Sequence, residues 1–355
     1  MSNVIALNVP PRRQRLVDRA DGLIDLFATQ RRFPDDVFWL KENAELLSIL
    51  ECTGMQVSDV ALEPHIDFYS GLKERLRFFP QYYRFLLSIG LDLEDLGLRG
   101  TAVDGQMEAL CHWVAAQGLP DAEMSDLQRA EARRLLDRRG VECTAADPDL
   151  DNRLRAFIGR AETFGLPNKK AAYELTHIVF YLSEYGRRNP HLDAGALRSL
   201  EYVGILAHMD QNIDLLAEVC IALQQAGQTP NAVWVEAVRT AMDTFAVVAD
   251  DGVGGHDDYH EYLVTHWAAR ALGHDDTGAA IPDGRVRFDQ QQYRPSALRG
   301  VSGALFAAAH TRSNDWAHMS DYVFSSLEGD AALLLEETIA STNEFDAFFD
   351  VFARA

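Results

Sequence analysis

Long apolar runs are absent from this chain. No window approaches ~18 uninterrupted apolar residues, so the sequence predicts no membrane span. The first residues, Met-Ser-Asn-Val-Ile-Ala-Leu-Asn-Val-Pro-Pro-Arg-Arg, have no basic lead before their short apolar run, so they do not look like a secretory signal. We therefore expect a cytoplasmic protein.

Positive charge is also scarce. The formal net charge is −21, and Lys+Arg number 33 against 54 Asp+Glu. A protein that binds nucleic acid by neutralising its phosphates needs clustered lysine and arginine. The strongly acidic balance therefore argues against a nucleic-acid partner.

Several chemical signatures are missing as well. The cysteines Cys52, Cys111, Cys143 and Cys220 lie far apart without C-x-x-C spacing, so we expect free thiols and no cysteine-based zinc cluster. There is no G-x-G-x-x-G, Walker loop or G-x-S-x-G motif. These absences remove the common dinucleotide, P-loop and nucleophile-elbow functions.

What the sequence does contain is helical periodicity, broken by turn signals, with no long alternating runs of the strand type. The predicted helices span 14–30, 34–53, 65–77, 81–96, 106–117, 123–139, 151–164, 168–187, 194–226, 230–248, 259–271, 295–311, 314–327 and 331–349. Segments 249–258 and 272–294 are predicted loops, and a break is considered within 194–226.

Short links between these helices favour antiparallel neighbours. We therefore predict an all-α fold, an array of antiparallel helical hairpins or an α/α toroid-like arrangement, without a sheet of three or more strands. Residues 141–150 are the best candidate linker between an N-terminal region (1–140) and a C-terminal region (151–355). One continuous domain is the alternative.

The most informative segment is the predicted helix over 168–187, where polar side chains interrupt an apolar pattern. One face carries residues at spacings of three and four: Tyr173, His177, Phe180, Tyr181 and Glu184. Glu174 precedes His177 by one turn. His177 is either a satisfied core histidine or part of a pocket wall, acting as a ligand or as a general acid/base oriented by Glu174 or Tyr181.

The following long helix carries His208, Asp210 and Asp214. Asp210 and Asp214 are one turn apart on an apolar stripe, so they need a cation, an arginine, shared protons or an exposed edge position. On one straight helix His208 points to a different face, and it cannot share a metal ion with Asp214.

A third cluster surrounds Tyr259 and His260. His256 and His260 have the i, i+4 spacing that lets two imidazoles reach one metal, although the glycines before His256 suggest that it precedes the helix. Glu261 does not occupy the glutamate position of H-E-x-x-H, so there is no zincin signature. His260 shares a face with Leu263 and Trp267, which is again a candidate pocket wall.

The segments Glu174-Leu-Thr-His177-Ile-Val-Phe-Tyr-Leu-Ser-Glu-Tyr-Gly186 and Asp258-Tyr-His-Glu-Tyr-Leu-Val264 resemble those of uncharacterised bacterial all-helical proteins. The resemblance covers roughly residues 150–270. It implies an all-helical fold and carries no activity, cofactor or catalytic residue.

Two functions follow from these patterns. The first is a small-molecule enzyme with a pocket in the C-terminal half, in which His177, His260 and Asp214 are the catalytic candidates. His177, Asp210, Asp214 and His260 are the candidate ligands of a divalent metal, while Glu174, Tyr181, His208 and Tyr259 line the pocket. The alternative is a non-enzymatic scaffold or partner-binding protein whose His and Asp residues form a structural network.

The last predicted helix bears on self-association. Phe345, Phe348, Phe349 and Phe352 have i, i+3, i+4, i+7 spacing. This stripe either packs within the chain, which we favour, or docks a second copy in a homo-oligomer.

Overall fold

The structure is a computed structural model, and it describes residues 15–98, 105–143, 147–250, 257–274, 280–290 and 296–354. The helices of the first half are α1 (Leu16–Asp25), α2 (Val37–Cys52), α3 (Ile66–Ser70), α4 (Leu72–Phe78), α5 (Tyr83–Asp95), α6 (Gln106–Ala116) and α7 (Asp126–Asp137). A π-helical turn, Leu26–Gln30, extends α1, and short 3₁₀ turns occupy Glu63–His65, Pro80–Tyr82 and Pro120–Ala122.

The second half continues in the same way. Its helices are α8 (Leu150–Ile158), α9 (Ala161–Phe164), α10 (Lys169–Leu182), α11 (Ala194–Asp210), α12 (Ile213–Gln225), α13 (Ala232–Asp243), α14 (Tyr259–Ala271), α15 (Ala297–Ala308), α16 (Trp316–Ser325), α17 (Gly329–Ala340) and α18 (Phe345–Phe352). Ala309–Thr311 forms a 3₁₀ turn. The predicted all-α class is confirmed. In the described part of the chain, none of the helices is long and apolar enough to cross a membrane.

The predictions for two segments were wrong, because these segments contain strands. β1 (Phe245–Ala249) occupies the end of the predicted helix 230–248, and β2 (Val286–Gln290) lies inside the predicted loop 272–294. The two strands pair antiparallel, with Phe245 opposite Gln290. The sequence Phe-Ala-Val-Val-Ala suits a strand, but its partner lies about forty residues away and gives no local signal.

The considered break within 194–226 is real and falls at Gln211. This residue has a left-handed backbone (φ 54°), and its Nε2 donates to the carbonyl oxygen of His208 at 2.7 Å. A residue in this conformation ends a helix and redirects the chain. As a result α12 is a separate helix, and Asp214 no longer shares one straight axis with His208 and Asp210.

Six helices contact one another in a closed series. α2 contacts α5, α5 contacts α7, α7 contacts α10, α10 contacts α12, α12 contacts α14, and α14 contacts α2. α10 and α12 run in the same direction, because Tyr173 contacts Asp214 near their beginnings and Ser183 contacts Gln225 near their ends. The toroid-like arrangement itself stays a prediction.

Two hydrophobic clusters make up the core. One lies mainly in residues 20–141 and also takes in Tyr262 and Leu263 from α14 and Phe288 from β2. The other spans residues 130–353 and contains Phe345, Phe348, Phe349 and Phe352. The predicted packing of the last helix within the chain is therefore confirmed. The division at 141–150 stays a prediction.

Candidate functional site

His177 lies in the middle of α10 with its ring partly open to solvent. Its Nδ1 is 2.8 Å from the carbonyl oxygen of Tyr173, one turn earlier, and 3.7 Å from Oε2 of Glu218 on α12. In the neutral ring, Nδ1–H donates to that carbonyl, so Nε2 carries the lone pair. The side chain is 36% exposed, which leaves this nitrogen accessible to a ligand.

His260, in the first turn of α14, lies between two carboxylates. Its Nδ1 is 3.3 Å from Oε2 of Glu45 on α2, and its Nε2 is 3.6 Å from Oδ2 of Asp214 on α12. Although burial opposes it, the hydrogen bond and charge of Glu45, together with Glu218 and Asp214, raise the pKa of His260. Both ring nitrogens therefore favour the protonated, donating form.

Asp214 and Glu218 connect the two histidines. They are one turn apart on α12, so their side chains are neighbours. The Tyr173 hydroxyl donates to Oδ1 of Asp214 at 2.6 Å, and the Thr176 hydroxyl donates to Glu218. Burial raises the pKa of Glu218, and Asp214 adds to the rise, whereas His177 and His260 oppose it.

Other carboxyl groups of this cluster are shifted in opposite directions. Burial, followed by the charges of Asp214 and Asp258, raises the pKa of Glu261 to about 7. Burial alone would raise the pKa of Glu45, but the hydrogen bond and charge of His260, together with Lys41 and Tyr259, lower this pKa. Neighbouring acids held in different protonation states are typical of sites that move protons.

Asp210 and His208, two of the predicted site residues, have other partners. Asp210 accepts from the Ser296 hydroxyl at 3.2 Å and lies 3.7 Å from Nζ of Lys169. His208 is buried in α11, with its Nδ1 2.7 Å from the Thr338 hydroxyl. Neither contact involves the histidines of α10 and α14, because the break at Gln211 separates α11 from α12.

The other predicted lining residues lie at the edges of the cluster. The Tyr181 ring packs edge-on against His177, with ring centroids 6.1 Å apart. The guanidinium carbon of Arg134 lies 6.0 Å from the centroid of the Tyr181 ring. The Tyr259 hydroxyl interacts with Glu45. Glu174 is partly exposed. His256 lies outside the described residues.

The family comparison places the chain among proteins of unknown function. Residues 1–355 match the model described as Domain of unknown function (DUF6902). The chain belongs to this family. The resemblance to an uncharacterised helical family is thereby confirmed, and it extends over the whole chain rather than residues 150–270 alone. No curated protein and no solved structure matches the chain.

Sequence reasoning missed three members of the cluster around His177 and His260, which are Glu45, Glu218 and Glu261. Glu218 carried a detectable signal, because it follows Asp214 by one turn in an otherwise apolar helix. Little in the sequence pattern indicates a role for Glu45, since this residue lies 215 residues from His260 in the chain. Only the packing of α2 against α14 brings these two side chains together.

The chemistry available to the cluster is acid–base chemistry. It combines an imidazole with an accessible Nε2, an imidazole stabilised as a cation, and a carboxyl group with a pKa of about 7. Within the described ranges, no group of three or more His, Cys, Asp or Glu side chains is arranged to hold a metal ion. The predicted catalytic and metal roles stay predictions.

Proposed function

We propose that this protein is a small-molecule enzyme that moves protons between its substrate and the cluster around His177 and His260. The observation that carries the proposal is the pairing of both histidines with adjacent carboxylates of α12, Glu218 and Asp214. In this scheme Nε2 of His177 accepts a proton from the substrate. The protonated His260 donates one.

The charge of the cluster supports a cationic substrate. Glu45, Asp214, Glu218 and Glu261 surround two imidazoles, and α12 and α14 place Asp214 and His260 in their first turns. Even with one carboxyl and one imidazole protonated, negative charge exceeds positive charge. An amine or another cation would be attracted to such a site, and an anion would be repelled.

The alternative function is a scaffold in which the same contacts only satisfy buried groups. The hydrogen bond from Thr176 to the buried Glu218 favours it, since a buried carboxyl needs such a partner in any protein. The two functions differ in what they expect of His177. In a scaffold the Nε2 atom of the partly exposed His177 has no role, whereas the proposed enzyme needs this atom as the proton acceptor.

Turnover of unknown substrates can test the proposal directly. Untagged protein is incubated with a small-molecule cell extract, and consumed and formed compounds are identified by mass spectrometry. We expect at least one amine-bearing compound to be converted by the wild-type protein. His177→Gln and His260→Gln should slow this conversion by about 10²-fold or more, the usual contribution of a general acid or base.

The matched control is His318→Gln, because His318 is exposed on α16. This variant should convert the compound at the wild-type rate. Conversion of nothing by the wild-type protein, or unchanged conversion by both cluster variants, would contradict the enzyme proposal. A loss of thermal stability without any turnover would favour the scaffold.

The cellular setting is part of the same proposal. We propose a cytoplasmic protein that acts on a small molecule, without a nucleic-acid partner. The acidic composition, with a formal net charge of −21, supports this setting. Fractionation of cells that express the chain, with detection by antibody, would test the location.

A further inference from the structure

We propose that a second site, separate from the histidine cluster, binds a small anion that carries a planar ring. The site is a cavity of about 540 Å³ at the ends of α2, α10, α12 and α14. We call it the arginine pocket, because Arg187, Arg188 and Arg270 line it. The described residues that line it include no aspartate or glutamate.

Two of these arginines retain free hydrogen-bonding capacity. Arg188 uses Nε to donate to the carbonyl oxygen of Leu182 at 2.9 Å, and Arg270 uses Nε to donate to that of Thr53 at 3.3 Å. Among the described residues, neither has a carboxylate at ion-pair distance. The Nη groups of both remain available to bind a ligand.

Arg187 differs, because it already has acidic partners. Its Nη2 is 2.6 Å from Oε1 of Glu51, and its Nη1 is 3.8 Å from Oε1 of Glu184. Arg187 is therefore neutralised locally, and the net positive charge of the pocket comes from Arg188 and Arg270. This is unusual in a chain whose formal net charge is −21.

Helix ends explain only part of this arrangement. The carbonyl groups at the ends of helices carry partial negative charge, which arginine side chains commonly neutralise. The two Nε–H groups serve that purpose here. The Nη groups are not needed for it, so they can provide paired donors for phosphate or carboxylate oxygens.

An aromatic wall and amide groups complete the pocket. The rings of Tyr185 and Trp267 lie 5.8 Å apart at 31°, and both residues line the cavity. Gln225 accepts from the Ser183 hydroxyl through Oε1 at 2.8 Å, so its amide nitrogen can face a ligand. Donors beside an aromatic surface suit an anion attached to a planar ring.

The backbone that carries this wall is held in a rare conformation. Glu184, Tyr185 and Gly186 have φ values of 48°, 52° and 88° in succession. Ser183 fixes the turn, because its hydroxyl accepts from the Gly186 amide at 3.1 Å. Non-glycine residues in this region are strained and are often retained at binding sites.

The arginine pocket is distinct from the histidine cluster. Trp267 and Arg270 lie in the last turns of α14, while His260 lies in its first turn. Ten residues separate His260 from Arg270, or about 15 Å along a helix. The pocket favours anions and the cluster favours cations, so the two proposals can fail independently.

Binding of defined anions to the full chain tests the inference. Pyrophosphate, citrate, adenosine monophosphate and adenosine are titrated separately, with isothermal calorimetry and tryptophan fluorescence as readouts. We expect adenosine monophosphate to bind and adenosine not to bind. Comparison of pyrophosphate with citrate decides between a phosphate and a carboxylate ligand.

Two variants distinguish a built site from general charge. Arg188→Gln should weaken anion binding about tenfold, which is typical for the loss of a charged hydrogen bond. Gln224→Glu adds a carboxylate to the lining at an exposed position without removing a packed side chain, and it should weaken binding about fivefold.

Gln228→Glu is the control, because Gln228 is exposed and lies outside the lining. It should leave binding unchanged. Absence of binding by all three anions at millimolar concentration would overturn the inference, as would equal weakening in Gln224→Glu and Gln228→Glu. Gln224→Glu and Gln228→Glu change only exposed side chains. The comparison between these two variants therefore does not depend on whether Arg188→Gln folds.

Discussion

Glu261 shows how one buried carboxyl group can link the histidine cluster to pH. It lies in the first turn of α14, and burial together with Asp214 and Asp258 raises its pKa to about 7. The hydrogen bond with Gln290 and the charge of His260 oppose the rise. Glu261 therefore changes charge near neutrality, where an ordinary glutamate is fully ionised.

The first prediction concerns the stability of Glu261→Gln. Between pH 4.5, the ordinary pKa of a glutamate, and about pH 7, the pKa of Glu261 in the folded protein, the folded state keeps a proton that the unfolded state loses. Burial of the charged form therefore costs stability as the pH rises through this window. Glu261→Gln removes this charge. We therefore expect the free energy of unfolding of the variant, relative to that of the wild type, to be about 1–2 kcal/mol higher at high pH than at low pH, after allowance for solvent screening.

Urea unfolding of wild type and variant at about pH 4.5 and about pH 8 measures this difference. Glu336→Gln provides the control, since Glu336 is exposed on α17. Its effect on the free energy of unfolding should be the same at both pH values. If the effect of Glu261→Gln is also independent of pH, the raised pKa is wrong.

At the scale of elements, glycine controls how closely two helices approach. Gly204 of α11 faces Trp234 of α13, and a Cβ atom at Gly204 would lie 2.4 Å from Cη2 of the indole. Trp234 is fully buried, so it has little freedom to move. Gly303 of α15 is the opposite case, since a Cβ atom there would meet nothing within 4 Å.

The second prediction compares alanine at these two helical glycines. Gly204→Ala should destabilise the protein by about 1–3 kcal/mol, because the added methyl overpacks the contact with Trp234. Gly303→Ala should stabilise it by about 0.5–1 kcal/mol through helix propensity alone. Chemical unfolding of both variants gives the two values. Equal effects would mean that the close approach of α11 and α13 does not limit the side chain at position 204.

The elements also show what a sequence can reveal. The helix of Tyr259–Ala271 was predicted with its observed bounds, because its apolar period is local. The strand Phe245–Ala249 was missed, because its pairing with Val286–Gln290 is not local. The site follows the same rule: Tyr173 and His177 are visible on one helical face, whereas the contact of His260 with Glu45 depends on the packing of distant segments.

At the scale of the molecule, a buried ion cluster joins distant parts of the chain. Arg31 donates to Glu42 at 2.8 Å and to Asp257 at 2.8 Å, across 226 residues in the second case. Its guanidinium also lies 5.0 Å from the ring centres of Phe27 and Tyr259. Burial would favour loss of the proton, but the paired carboxylates raise the pKa of Arg31.

This cluster lies against one hydrophobic core and beside α14, the helix that contributes to both cores. Glu42 belongs to α2, which packs in the core of residues 20–141, and Asp257 lies two residues before the start of α14. Tyr262 and Leu263 of α14 lie in that same core, while Val264 and Trp267 lie in the other. A helix that contributes to both cores should couple their unfolding.

The last prediction is that Arg31→Gln destabilises both cores together. The variant leaves Asp257 buried without its arginine partner and leaves Glu42 paired with Arg32 alone, which should cost about 3–5 kcal/mol. Hydrogen exchange measured on α5 and on α17 reports the stability of the two cores separately, and we expect the same loss of protection in each.

Arg239→Gln is the control, because Arg239 pairs only with exposed Glu236 and Asp243 in the described chain. This variant should change stability by less than about 1 kcal/mol. Loss of protection in α5 with α17 unchanged would contradict the coupling and would favour two domains that divide near residues 141–150.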